Sequence, residues 1–161
     1  MDFWNKRFWV YFVAILVLCA EAGLVFGQCD FGWKPGEGLP GLDGPVYALT
    51  TWDPDGIGPQ QELLIAGGIF KVAGDVAANY IAAWDGNSWQ AFNSGMNGDV
   101  RALTVYNGEL IAGGRFTTAG GVLANYIARW DGNSWKSFGS GMNDWIYALT
   151  VYNGELITTA P

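Results

Sequence analysis

The phrase "NYIAAWDGNSW" at residues 79–89 returns as "NYIARWDGNSW" at 125–135 with a single change, Ala83 to Arg129. It holds no set of side chains able to run a reaction alone, so it reads as a structural unit written twice. The match extends outward: residues 66–98 align with 112–144 at an offset of 46, and 23 of the 33 pairs are identical. Self-similarity at that period marks a repeat array. "VRALTVYNGELI" at 100–111 opens the second unit, "IYALTVYNGELI" at 146–157 opens a third, and "VYALT" at 46–50 opens a first that carries eight extra residues between Thr50 and Leu64.

Within the second unit, Val100–Tyr106 is rich in strand formers, Asn107-Gly108 is a preferred two-residue hairpin turn, and Glu109–Gly113 returns as a second strand. A polar, glycine-rich link follows. "NYIARW" then reads as a third strand, "DGN" as a tight turn and "SWKSF" as a fourth. Each unit is thus a four-stranded antiparallel meander, with the length and strand count of a propeller blade. The 24 glycines, nine tryptophans and absence of His across 161 residues suit short strands joined by glycine turns. The predicted fold is all-β: tandem blades forming a partial, open or truncated β-propeller behind an N-terminal apolar signal helix. Its parts are a signal peptide (1–27), an N-terminal extension (28–45), blade repeat 1 (46–99), blade repeat 2 (100–145) and a truncated blade repeat 3 (146–161).

The doubled glycine closing the second strand ("IAGG" at 65–68 and 111–114) and the paired aromatics of "WDGNSW" resemble the kelch repeat of β-propellers. They are similar also to the repeats of galactose oxidase-like propellers and of cortical cell-polarity marker proteins. The similarity covers most of residues 46–157 and is of the kind met in bacterial secreted repeat proteins. One departure lies at the turn, where Trp84 and Trp89 stand closer together than the usual kelch pair. Galactose oxidase-like chemistry implies copper ligands that include histidine, and this chain has no His. A Ser, Cys or Thr nucleophile would likewise lack its usual imidazole base.

At the amino end, Lys6 and Arg7 precede an apolar run from Phe8 to Ala20, and Val25 and Gly27 suit a cleavage site before Gln28. An export signal is the favoured reading; the rival is an uncleaved anchor, since the stretch to Phe26 nearly spans a bilayer. The expected location is therefore secreted, periplasmic or cell-surface, with membrane contact only through this segment. Cleavage would leave Cys29 as the lone cysteine, a free thiol or half of an intermolecular bridge. The formal net charge is −7 and no Lys/Arg cluster occurs, which argues against a nucleic-acid partner.

Trp84, Trp89, Trp130 and Trp135 are expected to wedge between blades, with stacking on a sugar ring as the alternative use of such amphipathic rings. In "DPDGIGPQQE" (53–62), Asp53, Asp55, Gly56 and Glu62 fall at the spacing of calcium-loop positions. Thr51 at the first-ligand position and two prolines favour instead a lengthened hairpin loop; calcium is the only cofactor the sequence suggests. Asp85 and Asp131 read as turn residues, and Glu109 and Glu155 as solvated strand-edge charges. The leading functional expectation is a binding or interaction module for a protein or polysaccharide, working through loops at the blade ends. The alternative is a non-catalytic piece of a larger secreted enzyme. The third unit stops at "ELITTAP" where its predecessors continue "AGG", so the array is expected to be a fragment that meets further blades or self-associates through open edges.

Overall fold

The computed structural model describes residues 41–159. The expected export segment and Cys29 lie outside the described residues. Within them the chain is all β, with no helix and so none long and apolar enough to cross a membrane. In chain order the strands are β1 (Val46–Trp52), β2 (Leu63–Gly68), β3 (Val72–Ala73), β4 (Val76–Ala77), β5 (Ile81–Trp84), β6 (Trp89–Ala91), β7 (Val100–Tyr106), β8 (Glu109–Gly114), β9 (Thr118–Ala119), β10 (Val122–Leu123), β11 (Ile127–Trp130), β12 (Trp135–Ser137), β13 (Ala148–Tyr152) and β14 (Glu155–Thr159). They form two antiparallel four-stranded sheets, β1-β2-β5-β6 and β7-β8-β11-β12, and three two-stranded hairpins, β3-β4, β9-β10 and β13-β14.

The two sheets repeat one another register for register. Leu64 faces Trp84 and Trp84 faces Trp89 in the first; Leu110 faces Trp130 and Trp130 faces Trp135 in the second. The turns repeat as well. Asn107 and Gly108 take φ of +53° and +79°, and Asn153 and Gly154 take +50° and +78°, the left-handed pair that two-residue hairpins require. In the "WDGNSW" turns, Asp85 Oδ1 accepts from the Asn87 and Ser88 amides at 2.8 and 2.7 Å, and Asp131 Oδ1 from the Asn133 and Ser134 amides at 3.0 and 2.9 Å. Such carboxylates supply the bonds a tight turn denies its own backbone.

Two details differ from the sequence expectation. The glycine-rich link between second and third strands folds into β3-β4 and β9-β10, which bury Ala73 and Ala119. The third strand starts two residues late, because Asn79-Tyr80 and Asn125-Tyr126 adopt positive φ. That unusual geometry reverses the chain before the strand: the Tyr80 and Tyr126 amides donate to the carbonyls of Phe70 and Phe116.

The main core lies between the sheets. Trp52, Ile65, Ile81 and Phe92 of the first meet Leu103, Leu110, Ala112, Trp130 and Trp135 of the second. A further cluster joins Ile111 and Ile127 to Ile146, Leu149 and Leu156 around β13-β14. Glycine sets the spacing: a Cβ on Gly67 would stand 2.5 Å from Val100 Cγ1, and one on Gly113 would stand 2.7 Å from Ile146 Cγ2. The first glycine of each pair therefore lets the next unit approach closely, while the second, Gly68 or Gly114, lies against the backbone at the start of its own unit's first strand.

Candidate functional site

Residues 53–62 link β1 to β2 where the second unit needs only Asn107-Gly108. The loop is ordered by its own carboxylates. Asp53 Oδ1 accepts from the amides of Asp55 at 3.2 Å and Gly56 at 3.0 Å, and Asp55 Oδ2 accepts from the Gln60 amide at 3.1 Å. Gly56, at φ +69°, permits the reversal. Glu62 is exposed at the loop's exit and Ile57 is fully exposed at its tip. The carboxylates of Asp53 and Asp55 are thus directed to backbone amides, and among the described residues no group of three His, Cys, Asp or Glu side chains gathers as a metal site.

Beneath this loop, between the two sheets, lies an open cleft of about 190 Å³. Pro54 and Gln60 of the loop form one lip, Gln90 and Gly132 lie on the others, and Trp52, Leu63, Ala83, Phe92 and Trp130 form the walls. The walls are held firmly. Trp52 Nε1 donates to the Gly108 carbonyl at 2.9 Å across the sheet interface, and Gln90 Nε2 donates to Asp85 Oδ2 at 2.8 Å. The Ser88 and Asn87 amides hold the Asp85 carboxyl at a pKa of about 2, and Lys136, followed by the Ser134 and Asn133 amides, depresses that of Asp131. Both turns beside the mouth therefore carry ionised carboxylates at neutral pH, the second neutralised by the Lys136 ammonium. The result is a small recess with aromatic walls and amide donors and acceptors at its rim, below the roughly 300 Å³ at which small-ligand pockets usually begin.

The four tryptophans share a register but not an environment. Trp130 and Trp135 are 7 % and 2 % exposed, lie 5.1 and 5.8 Å from Phe92 by ring centroid, and Trp135 Nε1 donates to the Phe92 carbonyl at 3.3 Å. They wedge the second sheet against the first. Trp84 and Trp89 pack on each other at 5.3 Å and stay half-buried on the opposite face of the first sheet.

The one change within the repeated phrase has a partner that reading Glu109 as a solvated charge overlooks. Arg129 Nη1 donates to both oxygens of Glu109, at 2.8 and 2.9 Å, so Glu109 is an ion-paired residue. Glu155 is exposed as expected. One repeat earlier, the same two positions are Leu63 and Ala83, both in the cleft wall. The paired exchange between aligned repeats, Leu63 to Glu109 with Ala83 to Arg129, is the sequence signal of this pair. No family model, curated protein or solved structure matches the chain.

Proposed function

We propose that the two sheets are successive kelch-like blades of a β-propeller, and that the chain is an exported or surface-displayed interaction module. It binds its ligand, a protein or a polysaccharide, at the end of the blades that carries residues 53–62. The observation carrying this reading is the cleft of about 190 Å³ beneath a loop that exists in one repeat only. Packing alone calls for no such loop, since Asn107-Gly108 closes the equivalent hairpin in two residues, whereas a loop held by its own hydrogen bonds at the blade end suits recognition. The blade reading rests on the face-to-face repetition. The surface that Leu103, Leu110, Trp130 and Trp135 bury against the first sheet recurs on that sheet's far side as Leu49, Leu64, Trp84 and Trp89, of which Leu49 is 61 % exposed. A further blade or a second copy of the chain would cover it in the same way.

The test compares the full chain with a variant in which residues 53–62 are replaced by Asn-Gly. Both are applied to a glycan array and used as bait for partners that are then purified and titrated. Ligands retained by the natural chain and lost by the variant, at unchanged thermal stability, support the reading. Identical profiles for the two proteins refute it.

A further inference from the structure

At the opposite ends of the same strands, a second cluster lies away from the cleft. Residues 47, 101 and 147 hold equivalent places in the three units, at the start of each first strand. In β1 and β7 that place is a bulge, with the register slipping between Val46 and Ala48 and between Val100 and Ala102. A bulge re-aims the side chain of its extra residue. Here it lines up Tyr47, Arg101 and Tyr147, the Arg101 guanidinium carbon standing 5.2 Å from one tyrosine ring centre and 5.3 Å from the other. Arg101 Nη2 donates to Asp99 Oδ2 at 3.1 Å. Beside them the Arg115 guanidinium lies 3.7 Å over the Trp145 ring, and the Arg115 amide donates to the Asp99 carbonyl at 2.8 Å.

We infer that the Tyr47–Arg101–Tyr147 row, with Asp99, is a binding site for a neutral saccharide. The rings on two sides and the carboxylate on one edge pre-organise the guanidinium, so little rotamer freedom remains to be lost on binding. The Arg101 and Asp99 side chains keep 24 % and 20 % exposure, so both are reachable. Arg101 Nε is buried without a partner among the described residues, so the donors within a ligand's reach are those on the Nη atoms, of which Nη2 already donates to Asp99. A donor and an acceptor side by side match the vicinal hydroxyls of a sugar, each of which both gives and takes a hydrogen bond. The tyrosine rings, 46 % and 45 % exposed, turn one face to Arg101 and keep exposed ring surface and hydroxyls beside it for the sugar's C–H groups and rim. Asp99 balances the Arg101 charge, the Arg115 cation is engaged over the Trp145 ring, and the chain carries −7 overall, so an anionic ligand is disfavoured.

The test is calorimetric titration of the full chain with four neutral probes, the hexamers of β-1,4-glucose, α-1,4-glucose, galactose and mannose, and with a hexamer of galacturonate. At least one neutral hexamer should bind, and the galacturonate hexamer should bind more weakly or not at all. Arg101→Lys, which keeps the charge and loses the fork, should weaken binding about tenfold or more, and Tyr147→Ala similarly, with the far-ultraviolet spectrum and melting temperature of each checked against the natural chain. The variant lacking residues 53–62 should bind as the natural chain does, so this site and the cleft stand or fall separately. Absence of binding by all four neutral hexamers at millimolar concentration overturns the inference. So does tighter binding of the uronate, or unchanged affinity in folded Arg101→Lys and Tyr147→Ala proteins.

Discussion

Trp89 and Trp135 end the same eleven-residue phrase and pair across the same turn with Trp84 and Trp130, so truncating each to alanine isolates what the neighbouring sheet contributes. Trp135 is 2 % exposed and lies against Phe92 and Trp130. Burying a tryptophan removes on the order of 200 Å² from water, worth roughly 5 kcal/mol as an upper bound. Measured costs of emptying such sites run to about 3–5 kcal/mol, so about 4 kcal/mol is expected for Trp135→Ala, which also strands the Phe92 carbonyl. Trp89 is half-buried and packs only within its own repeat unit, on Trp84 and the cluster of Ala66, Phe70, Ala73, Ala78 and Ala82, so about 2 kcal/mol is expected for Trp89→Ala. In urea titrations of the full chain followed by circular dichroism, with a slope of about 1.5 kcal/mol per molar, the midpoints should fall by about 2.7 M and about 1.3 M respectively. Should Trp135→Ala prove unfolded outright, Trp135→Phe, which retains an aromatic ring, restores a measurable transition and should still cost more than Trp89→Phe. Equal costs at the two positions, or a larger cost at Trp89, would refute the claim that the second pair is the wedge and the first is not.

Close approach at the doubled glycines predicts that Gly67→Ala and Gly113→Ala each cost about 1–3 kcal/mol by overpacking, read from denaturant midpoints. Adding Val100→Ala to Gly67→Ala should recover part of that loss, and a strictly additive double mutant would exclude the contact. Asp85, held at about 2 against an ordinary 3.8 by the Ser88 and Asn87 amides, contributes stability that is present above pH about 4 and lost as pH falls toward 2. Asp85→Asn should therefore flatten the melting-temperature profile over that window and leave its shape above pH 5 unchanged. The Arg129–Glu109 pair, 37 % and 29 % exposed, is screened by water, so Glu109→Gln should shift stability by less than about 1 kcal/mol in thermal melts.

Much of the fold is legible in the residues alone. A 46-residue period, alternating strands and Asn-Gly turns are local signals, because backbone conformation at a two-residue turn and the pleat of a strand depend on near neighbours. Hence β7, the Asn107-Gly108 turn, β8, β11 and β12 fall close to where the sequence places them. The small hairpins β3-β4 and β9-β10 are not legible, because two-residue strands carry no periodicity. The late start of β5 and β11 is hidden because tyrosine rarely takes positive φ, and the groups that hold it there, the Phe70 and Phe116 carbonyls and the Gly68 and Gly114 amides, lie ten or more residues away in sequence. The candidate sites are the least legible. Identical phrases predict identical packing, yet one tryptophan pair is buried and the other half-open, since burial depends on what lies across the interface and not on the strand that bears the ring. The carboxylates of Asp53 and Asp55 have the spacing of cation ligands, and only the folded loop shows that Asp53 Oδ1 and Asp55 Oδ2 accept backbone amides. The alignment of Tyr47, Arg101 and Tyr147, roughly fifty residues apart in sequence, exists only because three first strands lie side by side. The repeat, its strands and its turns follow from the chain's own letters because their causes are local. Which copies of a repeated residue are buried, paired or left facing water follows only from tertiary packing, because those outcomes are set by neighbours that no single repeat contains.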